Sequence, residues 1–312
     1  MASNNKPVAL VVGASRGIGR QIAIDLAKNG YAVVVSAKSM TPTSDLIKLT
    51  PFPPNPNSSA STITTVAREI QLTGGEATAI PVDTTSYESI KRLVADTISK
   101  YHRLDVLVYN SGAIWWAPVA KTPMKRFRLM QRVNVEGLYG TVQEALPHLK
   151  RSQGRMIVVC PPIYSRFFRG KTAYAMGKVG MSVLVKGLGM DFVREGHKDM
   201  AITGIWPAVA IESAATEQFT RKDPSHARDL RKPTIFSDAI LAMLRSPAEV
   251  VNGKLELDED FLRVHAGLTD KDFSRYSVIP GTSPRRIMPA GEFYHKTSCR
   301  LVLCWNKMLT WG

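Results

Sequence analysis

Cysteine is scarce in this 312-residue chain: Cys160, Cys299 and Cys304 are all it has. So few thiols do not make a disulfide framework, which points to a reducing compartment. No stretch reaches the roughly 20 apolar residues of a membrane span. The opening residues Met1 to Pro7 are polar and lack the apolar core of a secretory signal. The closing Thr310-Trp311-Gly312 is not a peroxisomal tripeptide, so a cytoplasmic location is expected. Internal repeats are absent, as are basic runs interleaved with aromatics. The second absence matters because 41 basic against 26 acidic residues give a net charge of +15. Such charge attracts nucleic acid or anionic membrane when it is clustered. Scattered, it favours polyanionic cofactors and solubility, so no nucleic-acid partner and no membrane span is expected, a charge-driven nucleic-acid or membrane-surface role being the alternative.

With 44% hydrophobic residues the chain can bury one large core or two modest ones. The most informative stretch is Val8-Ala9-Leu10-Val11-Val12-Gly13-Ala14-Ser15-Arg16-Gly17-Ile18-Gly19-Arg20. Five apolar residues predict a buried strand, and Ile22, Ala23, Leu26 and Ala27 follow at helical spacing. Strand, glycine turn and helix is the context in which a glycine pattern implies dinucleotide binding. Gly13 permits the sharp turn, Gly17 removes a side chain where a pyrophosphate approaches, and Gly19 lets helix and strand pack closely. The helix N-terminus then offers N–H groups and a positive dipole end to phosphate.

Further strands are predicted at 31–37, 77–83, 104–109, 155–160, 201–206 and near 254–257, alternating with helices. One long helix is predicted near 124–149 and another over about 172–195. The pattern implies a Rossmann-type, doubly wound parallel sheet with helices on both faces. A proline-rich insertion, 39–61, reads as a surface loop that is poorly ordered unless something packs on it. A polar segment, 208–233, follows the sixth strand.

Tyr174 and Lys178 stand at i and i+4, sharing one helix face. A nearby ammonium favours a phenolate, so the tyrosine is expected to be shifted from near 10 toward the working pH. With the G-x-x-x-G-x-G turn, the Asn110-Ser111-Gly112 loop and Tyr174-x-x-x-Lys178 in this order, the chain resembles the short-chain dehydrogenase/reductase family. Within it, it most resembles the hydroxysteroid dehydrogenase-like proteins. The stretches Val133-Asn134-Val135, Pro161-Pro162, Trp206-Pro207 and Asn252-Gly253-Lys254-Leu255-Glu256-Leu257-Asp258-Glu259 also carry the likeness. It covers roughly residues 8–282, so a domain over 1–283 is expected, followed by a basic, unmatched tail over 284–312.

The resemblance implies hydride exchange between a nicotinamide cofactor and a carbonyl or hydroxyl carbon, with Tyr174 as acid/base. It implies Lys178 on the nicotinamide ribose, Asn134 anchoring a relay water, and a homo-oligomer. Expected cofactor contacts are Gly13, Ser15, Arg16, Gly17, Ile18, Gly19, Lys38, Asp83, Asn110, Lys178, Pro207 and Val209. Cofactor choice is read after the second strand, where an acidic side chain would repel a 2′-phosphate. Ser36-Ala37-Lys38 supplies a cation instead, and Arg16 is a second. NADPH/NADP+ is therefore expected rather than NADH.

Three departures stand out. Cys160 occupies the place of the family's serine; it is either a weak thiol donor near the substrate or a small buried hydrophobe. Losing one donor to a developing oxyanion costs on the order of 10²–10³ in rate, and Ser165 or Tyr164 are candidate substitutes. A non-redox or purely binding role is the alternative that this change supports. Val12 and Tyr109 replace the usual threonine and asparagine that tie the glycine turn to its neighbouring strand. The substrate is expected to be a hydrophobic small molecule met by Trp115 and Trp116, with Phe167, Phe168 and Trp206 as further candidates.

Overall fold

The structure is a computed structural model, and it describes residues 6–164 and 168–288. Seven parallel strands form one sheet in the order β3-β2-β1-β4-β5-β6-β7. They are β1 Val8–Val12, β2 Ala32–Ala37, β3 Glu76–Pro81, β4 Val106–Tyr109, β5 Arg155–Val159, β6 Ala201–Trp206 and β7 Leu255–Leu257. In β1 the alternate residues face opposite cores: Ala9 and Val11 pack on one side, Val8, Leu10 and Val12 on the other. Burial of both faces is why this strand is an unbroken apolar run.

The first half supplies helices α1 Gly17–Lys28, the short α2 Thr43–Leu46, α3 Ile63–Leu72, α4 Tyr87–Tyr101, α5 Met124–Gln131 and α6 Gly137–Ser152. The second half supplies α7 Thr172–Arg194, α8 Ala214–Thr220, α9 Thr234–Arg245, α10 Ala248–Val251, α11 Asp258–Ala266 and α12 Asp270–Phe273. Helices α1, α3, α9 and α11 pack over one face of the sheet, whereas α4, α6 and α7 cover the other. Strand order reverses between β1 and β4, and open sheets of this kind bind ligands at that crevice.

One expectation changes. The long helix expected over 124–149 is interrupted by a π-helical turn, Arg132–Glu136, between α5 and α6. The insertion 39–61 is packed. Ile63 N–H donates to Ser39 O at 3.1 Å, the Thr41 and Thr62 hydroxyls meet at 2.8 Å, and Ser61 Oγ donates to Ser15 O at 2.7 Å. Packing also continues past residue 283. Met288 is buried against Ala208 and Leu257, and Arg286 reaches Glu259 at 3.2 Å and Asp260 at 2.8 Å.

Candidate active site

The glycine turn joins β1 to α1. Gly13 has φ +88°, and a methyl there would lie 2.6 Å from Ser111 N. A methyl on Gly19 would lie 2.1 Å from Gly13 O, so helix and strand meet at backbone distance. The turn is tied to both neighbouring strands. Gly13 and Ala14 donate N–H groups to Ser36 O at 2.7 and 3.0 Å, and Asn110 Nδ2 donates to Gly13 O at 2.9 Å. Asn110 thus links the turn to β4 although Val12 and Tyr109 differ from the family pattern. Tyr109 has a different partner: its hydroxyl donates to Val133 O at 2.6 Å, inside the π-turn.

That turn presents Asn134, which is fully buried. Asn134 Oδ1 accepts from Ala113 N at 2.9 Å and Nδ2 donates to Ala113 O at 3.2 Å, holding the loop after β4. π-Bulges in long helices frequently mark functional sites, because the extra residue re-aims a side chain. The sequence did not disclose the turn or the Tyr109 tether, since a π-bulge keeps ordinary helix formers.

Tyr174 and Lys178 lie in the first turns of α7, both buried, and both line a cleft of about 810 Å³. Lys178 Nζ donates to Val159 O at 2.8 Å and lies 5.6 Å from the Trp206 ring centre. A methyl built on Gly112 would be 3.5 Å from both Lys178 Nζ and Asn134 Oδ1, so these groups converge on one short backbone segment. Burial lowers the Lys178 ammonium to a pKa of about 8. Burial pushes the Tyr174 phenol up, opposite to the expected stabilisation of a phenolate. Desolvation is the cause of this shift, and the Lys178 ammonium spends its hydrogen bond on Val159 O. Burial thus favours the protonated phenol at Tyr174.

Other expected residues are found at the same crevice. Ile18, Asn110 and Pro207 line the cleft with Tyr174. Trp116 faces it, edge-on to Tyr174 at 6.4 Å between ring centres and stacked on Phe219 at 6.1 Å. Ser15 is nearly buried, and Arg16 is the cap residue before α1. Lys38 Nζ pairs with Asp83 Oδ2 at 2.7 Å, and this bond with those from Thr85 holds the Asp83 carboxyl at about 2. The two expected adenosine-side residues are thus partners, with the Lys38 side chain still largely exposed.

Six expected residues need correction or fall elsewhere. Cys160 does not reach the cleft: it is fully buried among Val158, Met181 and Ile202, and burial pushes its thiol up to about 12. The strand alternation explains this, since Val159 lines the cleft and its neighbour must face the opposite core. Trp115 packs beneath the site with Met130 and Tyr174, its indole under the Arg126 guanidinium at 4.7 Å, and does not line the cleft. Val209 is buried and bridged to Arg286 rather than facing the cleft. Ser165 and Phe167 lie outside the described residues, and Phe168 is not part of the cleft wall. Tyr164 lines the cleft, as does Thr216 from the 208–233 segment; sequence reading missed Lys171 and the 285–288 segment, which line it too.

Comparison with known proteins agrees with this architecture. A family model described as short chain dehydrogenase matches residues 7–50 and 57–223. The chain belongs to that family. Hydroxysteroid dehydrogenase-like protein 2 of Danio rerio is 35% identical over 274 residues, or 87% of this chain and 60% of that protein. The chain thus spans well under two thirds of that relative's length. A short chain dehydrogenase structure from Mycobacterium thermoresistibile is 31% identical with a TM-score of 0.77, covering 92% of this chain and 96% of that one. A 7α-hydroxysteroid dehydrogenase complexed with NADH and 7-oxo glycochenodeoxycholic acid is 28% identical with a TM-score of 0.62, covering 82% and 96%. Among the described residues, no helix is long and apolar enough to cross a membrane.

Proposed function

We propose that this chain interconverts a carbonyl and a hydroxyl on a hydrophobic small molecule, using NADP(H). The observation that carries the reading is the placement of Tyr174 and Lys178 in one cleft, with Asn134 held behind them on the π-turn. The residues fit a dinucleotide. The glycine turn brings backbone close, Asn110 fixes it, and the cleft is large enough for a nicotinamide beside a substrate. When bound, the cofactor supplies or accepts the hydride.

Each side chain then has a definite task. Tyr174, protonated in its apolar setting, donates its phenolic proton to the substrate oxygen in the reducing direction. Lys178 holds the nicotinamide ribose and, once near a developing phenolate, stabilises it through the field of its ammonium. Asn134 anchors the water through which a proton returns. Lys38 and Arg16 favour a 2′-phosphate. Lys38 leaves Asp83 for it at small cost, because the pair is exposed and Asp83 keeps its two bonds from Thr85.

Trp116, Trp206, Ile211, Ile287 and Met288 make the substrate side apolar, and the related enzyme that holds a 7-oxo steroid acid supports a bulky, hydrophobic ketone. We infer that the domain also assembles as a homo-oligomer, as the family resemblance implies. The test is oxidation of NADPH against a panel of hydrophobic ketones by the wild type and by Tyr174→Phe. Turnover that requires the tyrosine supports the reading. Tight NADPH binding with no turnover on any ketone would favour the binding-only role instead.

A further inference from the structure

The insertion 39–61 crosses the glycine turn at Gly17. Gly17 N–H donates to Pro56 O at 2.8 Å, so one N–H at the start of α1 is already used within the chain. The next residue, Asn57, holds its backbone N–H in a turn closed by Asn55 Oδ1 at 2.9 Å. Its side-chain Oδ1 is buried without a hydrogen-bond partner. A methyl built on Gly17 would stand 3.6 Å from that oxygen and 3.6 Å from Ser213 Cβ. Asn57 and Ser213 therefore roof Gly17 from the insertion and from the segment after β6.

On one side of this roof is the cleft of Ile18, Asn110, Tyr174 and Pro207. The expected adenosine-side residues Lys38 and Asp83, past the ends of β2 and β3, line a second depression of about 320 Å³ with Ser89, Arg92 and Asp96. A dinucleotide with its nicotinamide in the first and its adenosine at the second must pass its pyrophosphate along the stretch that Asn57 covers.

An unsatisfied buried carboxamide is costly, and chains keep such a group where a ligand completes it. A half-turn about the Cβ–Cγ side of the amide exchanges acceptor for donor, so the same group can present N–H to an anion. We infer that Asn57 is a cofactor-binding residue, its carboxamide donating to the pyrophosphate where the dinucleotide passes Gly17. The inference rests on the dinucleotide reading above. It explains why the insertion is stitched to the turn by Pro56 and Ser61 while this one amide is left open. It also lies outside the glycine motif, which spans Gly13 to Gly19.

Calorimetric binding of three probes separates the possibilities. NADPH and 2′-phospho-ADP-ribose carry the pyrophosphate, whereas adenosine 2′-monophosphate has no phosphate at the 5′ position. A hydrogen bond to a charged group predicts that Asn57→Ala weakens the first two by roughly tenfold or more. The third should bind as tightly as to the wild type. Asn57→Asp, nearly isosteric but anionic, should weaken the first two further and make the loss steeper at low salt. Melting temperatures close to that of the wild type show that the strap is intact in both variants. Equal affinities of wild type, Asn57→Ala and Asn57→Asp for NADPH would overturn the inference while leaving the cofactor reading in place. Equal weakening of all three probes would overturn it too, by showing a general loosening of the turn. Failure of the wild type to bind either NADPH or NADH would remove the cofactor reading itself, and this inference with it.

Discussion

Gly137 offers a sharp test of how Asn134 is positioned. It opens α6 directly after the π-turn, and a methyl there would lie 2.6 Å from Thr84 O, 2.6 Å from Tyr109 Oη and 3.0 Å from Thr84 Cβ. Two effects oppose each other in Gly137→Ala. Helix propensity favours alanine by about 1 kcal/mol. Overpacking costs about 1–3 kcal/mol, toward the upper end when the obstacle is a backbone carbonyl and a buried ring that cannot swing away. Steric cost wins, by about 1–2 kcal/mol, which lowers Tm by about 2–8 °C in a domain of this size. The kinetic effect is larger, because Tyr109 must release Val133 O and the turn carrying Asn134 shifts with it. Displacement of a positioned group by about 1 Å costs on the order of 10²-fold in rate. Gly187→Ala in α7 is the control, since a methyl there meets nothing within 4 Å and should leave stability unchanged or raise it. Thermal unfolding and the single-turnover rate of NADPH oxidation are the readouts. If Gly137→Ala melts with or above Gly187→Ala and turns over at the wild-type rate, the proposed tether does not position Asn134.

Other predictions concern charge. Asp258 accepts N–H groups from Ala208 at 2.8 Å and Glu259 at 2.7 Å, and burial raises its carboxyl to about 7. Between the unfolded value near 3.9 and about 7 the folded state holds a proton that the unfolded state has lost, so stability falls as pH rises through that window. Asp258→Asn keeps an acceptor without the charge, so its melting temperature should exceed that of the wild type at pH 8 and converge with it at pH 4; parallel curves would refute this. Lys38→Asp should weaken NADPH by more than tenfold while sparing NADH, as expected for one lost charged hydrogen bond and an added repulsion; an unchanged ratio of the two affinities would remove Lys38 from cofactor choice. With Cys299 and Cys304 replaced by serine, the Cys160 thiol should resist a thiol reagent at pH 8 until the protein unfolds, because the reactive species is the thiolate; prompt labelling of the folded protein would place it at the surface instead.

Much of the fold is legible in the sequence, because its signals are local. An apolar run such as Val8–Val12 must be a strand buried on both faces, and the glycines after it have few other uses. The Tyr174 and Lys178 spacing fixes a shared helix face without knowledge of the neighbours. What the sequence conceals depends on contacts between distant segments. Cys160 and Val159 are both compatible with a core or a cleft until the sheet assigns their faces. The direction of the Tyr174 shift follows from burial by Met130, Ala173 and Trp115, segments that the i, i+4 spacing of Tyr174 and Lys178 does not disclose. The Lys38 to Asp83 pair spans 45 positions, and the strap at Gly17 joins residues about 40 apart. The π-turn at Asn134 arises from one extra residue that no propensity distinguishes.

The central claim is that Tyr174 protonates a substrate carbonyl beside bound NADPH. Its most direct test is NADPH oxidation with a hydrophobic ketone by the wild type and by Tyr174→Phe, each first shown to bind NADPH with the same affinity. The account predicts turnover by the wild type and a fall of at least about 10² in the variant, the usual contribution of a general acid. Equal rates in the two proteins would contradict it.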